Sequence, residues 1–137
     1  MKYKILPWIY VILWCTAIFL FSSIPHLKIE ALGFWDLVFR KIAHITEYFI
    51  LVILFLRAFS KTTRLNRFSI YFWSIFLSVL YAVTDEFHQH FVPGRHFAIT
   101  DIMIDTFGVL LGSIFYHRYK WDKFSIWLLN TNRCIQD

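Results

Sequence analysis

ILPWIYVILWCTAIFLFSSI, residues 5–24, carries no charge and is long enough to cross a bilayer as a helix. Around it lie 117 further residues, and the whole chain of 137 is 58% hydrophobic and 21% aromatic, too apolar for an ordinary water-soluble domain. Three more spans follow at about 42–59, 68–84 and 99–117, joined by short polar segments. Only the third resembles the first in being free of charge. The run Tyr48 to Leu56 is too short to cross alone, so the second helix must carry Glu47, with His44, below the interface. In the fourth, Thr106 to Tyr116 reaches across only with Asp105, and at greater length Asp101, taken in. The expected fold is an all-α, four-helix integral membrane bundle occupying residues 1–137 as one domain, with 118–137 as a tail.

Lys2 and Lys4 ahead of an apolar stretch raise the signal-peptide reading, but the stretch is long for a cleavable core and no A-x-A-like site follows, so it is expected to remain as an anchor. Cys15 falls inside the first span and Cys134 in the tail, which gives neither a disulfide framework nor a zinc site. The net charge of +5 suggests nucleic acid until its distribution is considered. Lys2, Lys4, Arg57, Lys61, Arg64, Arg67, Arg118, Lys120, Lys123 and Arg133 fall on one side, against Lys28, Arg40, Lys41 and Arg95 on the other. The positive-inside rule then places both termini in the cytoplasm and accounts for the charge without nucleic acid. Glu30, Asp36, Glu47, Asp85, Glu86, Asp101 and Asp105 gather on the opposite, outer side, leaving Asp122 and Asp137 inside.

Leu32, Trp35 and Phe39 recur at helical spacing in the first outer loop, as do Trp121, Phe124 and Leu128 after the last span. Short amphipathic interfacial helices and an ordinary aromatic belt both fit.

His44, Glu47 and Tyr48 share one stripe of the second helix and must face protein, because a charge at membrane depth is costly unless paired or hydrated. Helix-gluing pairs are the bland reading of the same residues. The third helix ends in Asp85-Glu86-Phe87-His88-Gln89-His90, and Pro93-Gly94 then marks a turn that can swing Arg95 back over Glu86 and Gln89. Arg95 has the fork geometry for a carboxylate or a phosphate; a salt bridge fixing the loop is the simpler alternative. Asp101, Asp105, Gly108 and Gly112 lie on one stripe of the fourth helix, acidic at its outer half and GxxxG at its inner half. That glycine pair serves either a contact within the chain or a dimer seam. GxGxxG, P-loop and HExxH motifs are all missing, which leaves nucleotide and zinc-protease readings unsupported.

The ordered blocks His44-x-x-Glu47-Tyr48, Asp85-Glu86-x-x-Gln89-x-Phe91-Val92-Pro93-Gly94-Arg95 and Asp101 with Gly108/Gly112 resemble the VanZ-like membrane proteins over about residues 40–116. The first span, with its Phe21-Ser22-Ser23 end, also fits. The chain departs from the family's usual pattern, which often has Asn at the position of Asp105 and an acidic residue at that of Ala98. The resemblance implies a bacterial cell-envelope protein, and the family's namesake is associated with resistance to teicoplanin.

Three functional classes follow. In the first, an outer polar pocket with Glu86, Gln89, Arg95, Asp101 and Asp105 as ligand-binding residues binds or organises a lipid-linked wall precursor or a lipoglycopeptide. In the second, a membrane-edge enzyme acts on a lipid-linked phosphate or glycan, with His44, Glu47 and Asp85 as catalytic candidates and Arg95 clamping phosphate. Only this second reading invokes a divalent cation, on Asp101 and Glu86. An ion pathway is the third, and it suffers because nothing titratable continues through the inner halves of the spans.

Overall fold

The computed structural model describes residues 2–25, 33–95 and 97–133, with side chains described for 5–25, 33–95 and 97–119. Four helices follow one another: α1 (Lys2–Ser22), α2 (Phe34–Thr62), α3 (Arg67–Gln89) and α4 (Ile99–Arg133). Each is long and apolar enough to span a bilayer. The chain is therefore an all-α, multi-pass membrane bundle.

Local chemistry sets the helix ends. At the end of α1 the Ser22 and Ser23 hydroxyls both donate to the Phe19 carbonyl, at 3.1 and 2.6 Å, and Pro25 follows. Gly33 enters α2 at φ 49°, in the left-handed region that favours glycine. Where α2 ends, the Thr63 N–H and hydroxyl both donate to the Phe59 carbonyl. The Asn66 side chain caps α3, accepting from the Ser69 N–H at 2.8 Å. Beyond α3 the turn Val92-Pro93-Gly94-Arg95 has Gly94 at φ 80° and is closed by the Arg95 N–H on the Val92 carbonyl at 3.1 Å. Proline second and glycine third is the pattern of a type II turn.

These boundaries revise the sequence reading in two places. Trp35 and Phe39 lie in the first turns of α2, which begins eight residues earlier than expected, so that segment is not a separate interfacial helix. Leu32 lies outside the described residues. Similarly, α4 continues as helix to Arg133 through the expected tail, where the side chains of Trp121, Phe124 and Leu128 lie outside the described set. Cys134 and Glu30 are also outside it.

α2 is the centre of the bundle and packs against the other three helices. Its fully buried residues Tyr48, Leu51, Val52, Leu56 and Ala58 form the core with Ile18 of α1, Ala82 of α3 and Val109 of α4. Small and polar residues share this interior: Ser74, Ser78 and Ser113 are buried, each hydroxyl returning to the carbonyl four residues earlier. Outside, Phe68, Phe72 and Phe76 form an exposed aromatic row along α3, and Leu13, Leu20, Phe107 and Ile114 are exposed on α1 and α4. An apolar outside around a partly polar inside is what a hydrocarbon solvent selects.

α4 lies against α2 through its two helix-interior glycines. A Cβ on Gly108 would stand 2.5 Å from the Ile45 carbonyl oxygen, and one on Gly112 would stand 2.6 Å from that of Phe49. The GxxxG face is thus used inside the chain. Gly112→Val should lower stability by roughly 1–3 kcal/mol through overpacking, read as a reduced Tm by tryptophan fluorescence in detergent. Leu110→Val, on the exposed side of α4, is the control and should leave Tm unchanged.

Candidate functional site

Above the glycine contact the same two helix faces carry polar pairs. Gly108 and Gly112 hold α4 close to Ile45 and Phe49, and one turn further out Asp105 meets His44, Oδ1 to Nδ1, at 3.0 Å. The next turn pairs Asp101 with Lys41. Residue numbers rise together on both helices, so α2 and α4 run parallel. The Asp105 side chain is 1% exposed, and His44 is its direct partner.

α3 and the following turn supply a second chain of contacts. Gln89 donates from Nε2 to Asp85 Oδ2 at 3.0 Å and accepts at Oε1 from Arg95 Nη1 at 3.1 Å. Arg95 also donates to the Ile24 carbonyl from Nε at 3.3 Å and to the Phe21 carbonyl from Nη2 at 3.1 Å. Its guanidinium therefore ties the turn to the end of α1. Among the described residues Arg95 bonds only neutral oxygens, and the expected salt bridge is not found there. Burial lowers its pKa, with Asp85 the leading opposing influence. An arginine starts so high that it remains a cation.

Glu86 faces elsewhere. Its Oε1 accepts the Ala98 N–H at 2.7 Å, immediately before α4, where a carboxylate complements the free N–H groups and positive dipole end of a helix. Asp36 in the first turn of α2 and Asp101 in that of α4 are placed to do the same. Asp36 also pairs with Arg40, Oδ2 to Nη2, at 3.0 Å.

A cleft opens between these parts. One lobe, of about 290 Å³, is lined by Phe21 and Ser22 of α1, Arg40, Ala43, His44 and Glu47 of α2, and Gln89 and Arg95. An adjoining lobe of about 180 Å³ shares Arg40, His44, Gln89 and Arg95 and adds Leu37, Lys41, Gly94 and Asp101. The first lobe mixes apolar Phe21 and Ala43 with charge; the second is polar.

The VanZ/LLP1 family model matches residues 7–121, most of the chain and every element of this cleft. The chain belongs to the VanZ/LLP1 family. No curated protein and no solved structure matches it.

Within this VanZ/LLP1 protein the expected site residues divide into two layers. His44, Glu47, Gln89, Arg95 and Asp101 line the cleft, whereas Asp85, Glu86 and Asp105 are buried behind it as partners of Gln89, Ala98 and His44. Tyr48 is fully buried. Asp101 is paired with Lys41, and Glu86 Oε1 accepts the Ala98 N–H; among the described residues no group of three or more His, Cys, Asp or Glu side chains is placed to hold a metal.

Arg40, Lys41 and the α1 carbonyls were missed as site components. The i,i+4 series Asp36, Arg40, His44 was readable in the sequence, but starting the second span at residue 42 cut it in half. The carbonyl acceptors carry no sequence signal, since every residue has one. Arg95→Ala would remove the side-chain donor from the exposed Phe21 and Ile24 carbonyls, a loss of about 0.5–1.5 kcal/mol per bond. Hydrogen exchange should then quicken at the amides of Val92, Gly94 and residue 95, with α2 amides unchanged.

Proposed function

We propose that this is a bacterial cytoplasmic-membrane protein, with both termini in the cytoplasm, whose outer cleft binds the anionic head of a lipid-linked wall precursor or a lipoglycopeptide. By holding or organising that ligand it contributes to glycopeptide resistance of the teicoplanin type. The orientation rests on the positive-inside distribution of Lys and Arg described above.

One observation carries the ligand class. Arg95 is a cation lining both lobes, and its described partners are all neutral oxygens, so its charge is still available to an anion. Arg40, ion-paired with Asp36 through Nη2, lines the same two lobes. A guanidinium pair beside the apolar surface of Phe21 and Ala43 suits an amphiphile with a phosphate or carboxylate head. Most of the nearby carboxylates are already engaged by His44, Lys41, Gln89 or a backbone N–H, which suits them to holding the frame.

A second reading has its own support. Asp105 orients His44 through Nδ1, and Glu47, one turn along α2, lines the cleft beside it. An imidazole fixed by a buried carboxylate is a general-base arrangement, so an enzyme acting on a lipid-linked phosphate or glycan is the alternative.

A deletion strain complemented with wild type or with Arg40→Gln, Arg95→Ala or Asp105→Asn, at matched membrane levels, tests both readings under teicoplanin challenge. Loss of one charged contact should weaken ligand binding by about 1.5–3 kcal/mol, roughly tenfold to a hundredfold. Arg40→Gln and Arg95→Ala should therefore abolish protection while Asp105→Asn retains most of it. Protection lost in Asp105→Asn alone points to catalysis, and equal protection by all four proteins rejects the cleft as the working site.

A further inference from the structure

The opposite end of the bundle has a different chemistry. Trp8 of α1 donates from Nε1 to Thr62 Oγ1 at 3.1 Å, so the start of α1 lies level with the end of α2. Beside this contact a cavity of about 320 Å³ is lined by Leu6, Pro7 and Tyr10 of α1 and by Arg57 and Lys61 of α2. Leu6 and Tyr10 are one helical turn apart, as are Arg57 and Lys61, so an apolar wall faces a cationic one. Leu6 and Tyr10 are each about half exposed, at 48% and 49%, on the side of the bundle that meets lipid.

Among the described residues both cations lack a counter-charge. Arg57 and Lys61 are exposed and have no ion pair among the described residues. The nearest carboxylate along α2 is Glu47, ten residues from Arg57 and thus roughly 15 Å up the helix. The described charged neighbours at this end, Arg64, Arg67 and Arg118, are all basic.

We infer that this groove is a binding site for one anionic phospholipid of the surrounding leaflet. The headgroup phosphate is taken by the Arg57 fork and the Lys61 ammonium, and an acyl chain lies along Leu6, Pro7 and the Tyr10 ring. Charge complementarity selects the occupant: a zwitterionic lipid brings a second cation into a field that is already positive, whereas an anionic one neutralises it. Arg57 sits about five residues inside the end of α2, roughly 7 Å, a depth its long side chain spans by reaching toward the headgroup layer. The site lies at the other end of the bundle from the cleft and does not depend on what the cleft binds.

The test uses the full chain in nanodiscs and in detergent, with phosphatidylglycerol against phosphatidylcholine as probes, read by native mass spectrometry and by Tm. Wild type should retain phosphatidylglycerol and be stabilised by it selectively. The double substitution Arg57→Gln, Lys61→Gln, both at exposed positions, should weaken that preference by about tenfold or more, with the Tm in phosphatidylcholine unchanged. Arg118→Gln, a basic residue of the same end outside the groove, should keep the wild-type preference. The inference is overturned if wild type does not discriminate between the two lipids, if the double variant discriminates as wild type does, or if Arg118→Gln loses as much as the double variant.

Discussion

The backbone-to-backbone approach of α4 to α2 at Gly108 and Gly112 is the contact on which the polar cleft depends. Side chains at these positions would meet the carbonyl oxygens of Ile45 and Phe49, and the two helices would have to part. Separation would be felt one turn further out, where Asp105 reaches His44 at 3.0 Å, and again where Asp101 meets Lys41. Hydrocarbon offers no hydrophobic drive between helices, so close packing and interhelical hydrogen bonds have to supply the association. In this bundle one stripe of α4 provides both.

Parallel packing of α2 and α4 brings two positive helix ends together at one end of the bundle. Asp36, Asp101 and Glu86 are placed at those ends, where carboxylates are favoured, and Glu86 crosses from α3 to reach the N–H that precedes α4. A charged side chain in a low-dielectric setting is strongly destabilising unless partnered. The partners present here explain how an apolar bundle tolerates so many carboxylates at one end. They also set Asp85, Glu86 and Asp105 behind the cleft, while Glu47 and Asp101 remain in its wall.

α1 joins this arrangement without contributing a charge. Trp14 donates to the Glu47 carbonyl, while backbone oxygens of Cys15, Phe21 and Ile24 accept from Tyr81 and Arg95. Ser23 and His88 add a side-chain contact at 3.0 Å where α1 and α3 end. A helix that looks in sequence like a simple anchor thus closes one wall of the cleft with Phe21 and Ser22.

The sequence by itself determined the four spans, the segregation of acidic residues from most of the basic ones, and the stripe running from Asp101 to Gly112. Those features follow from hydrocarbon solvation and from 3.6-residue periodicity, both of which act locally along the chain. It also brought Gln89 and Arg95 together, because a Pro-Gly turn separates them by few residues. Only the tertiary structure decided which carboxylate has which partner, that the glycines face α2, and that Arg95 rests on neutral oxygens. It also decided that Arg40 and Lys41 line the cleft and that Asp85 and Glu86 stand behind it. Periodicity fixes the face a residue occupies, whereas its partner depends on the rotation and depth of a neighbouring helix, which no local pattern encodes.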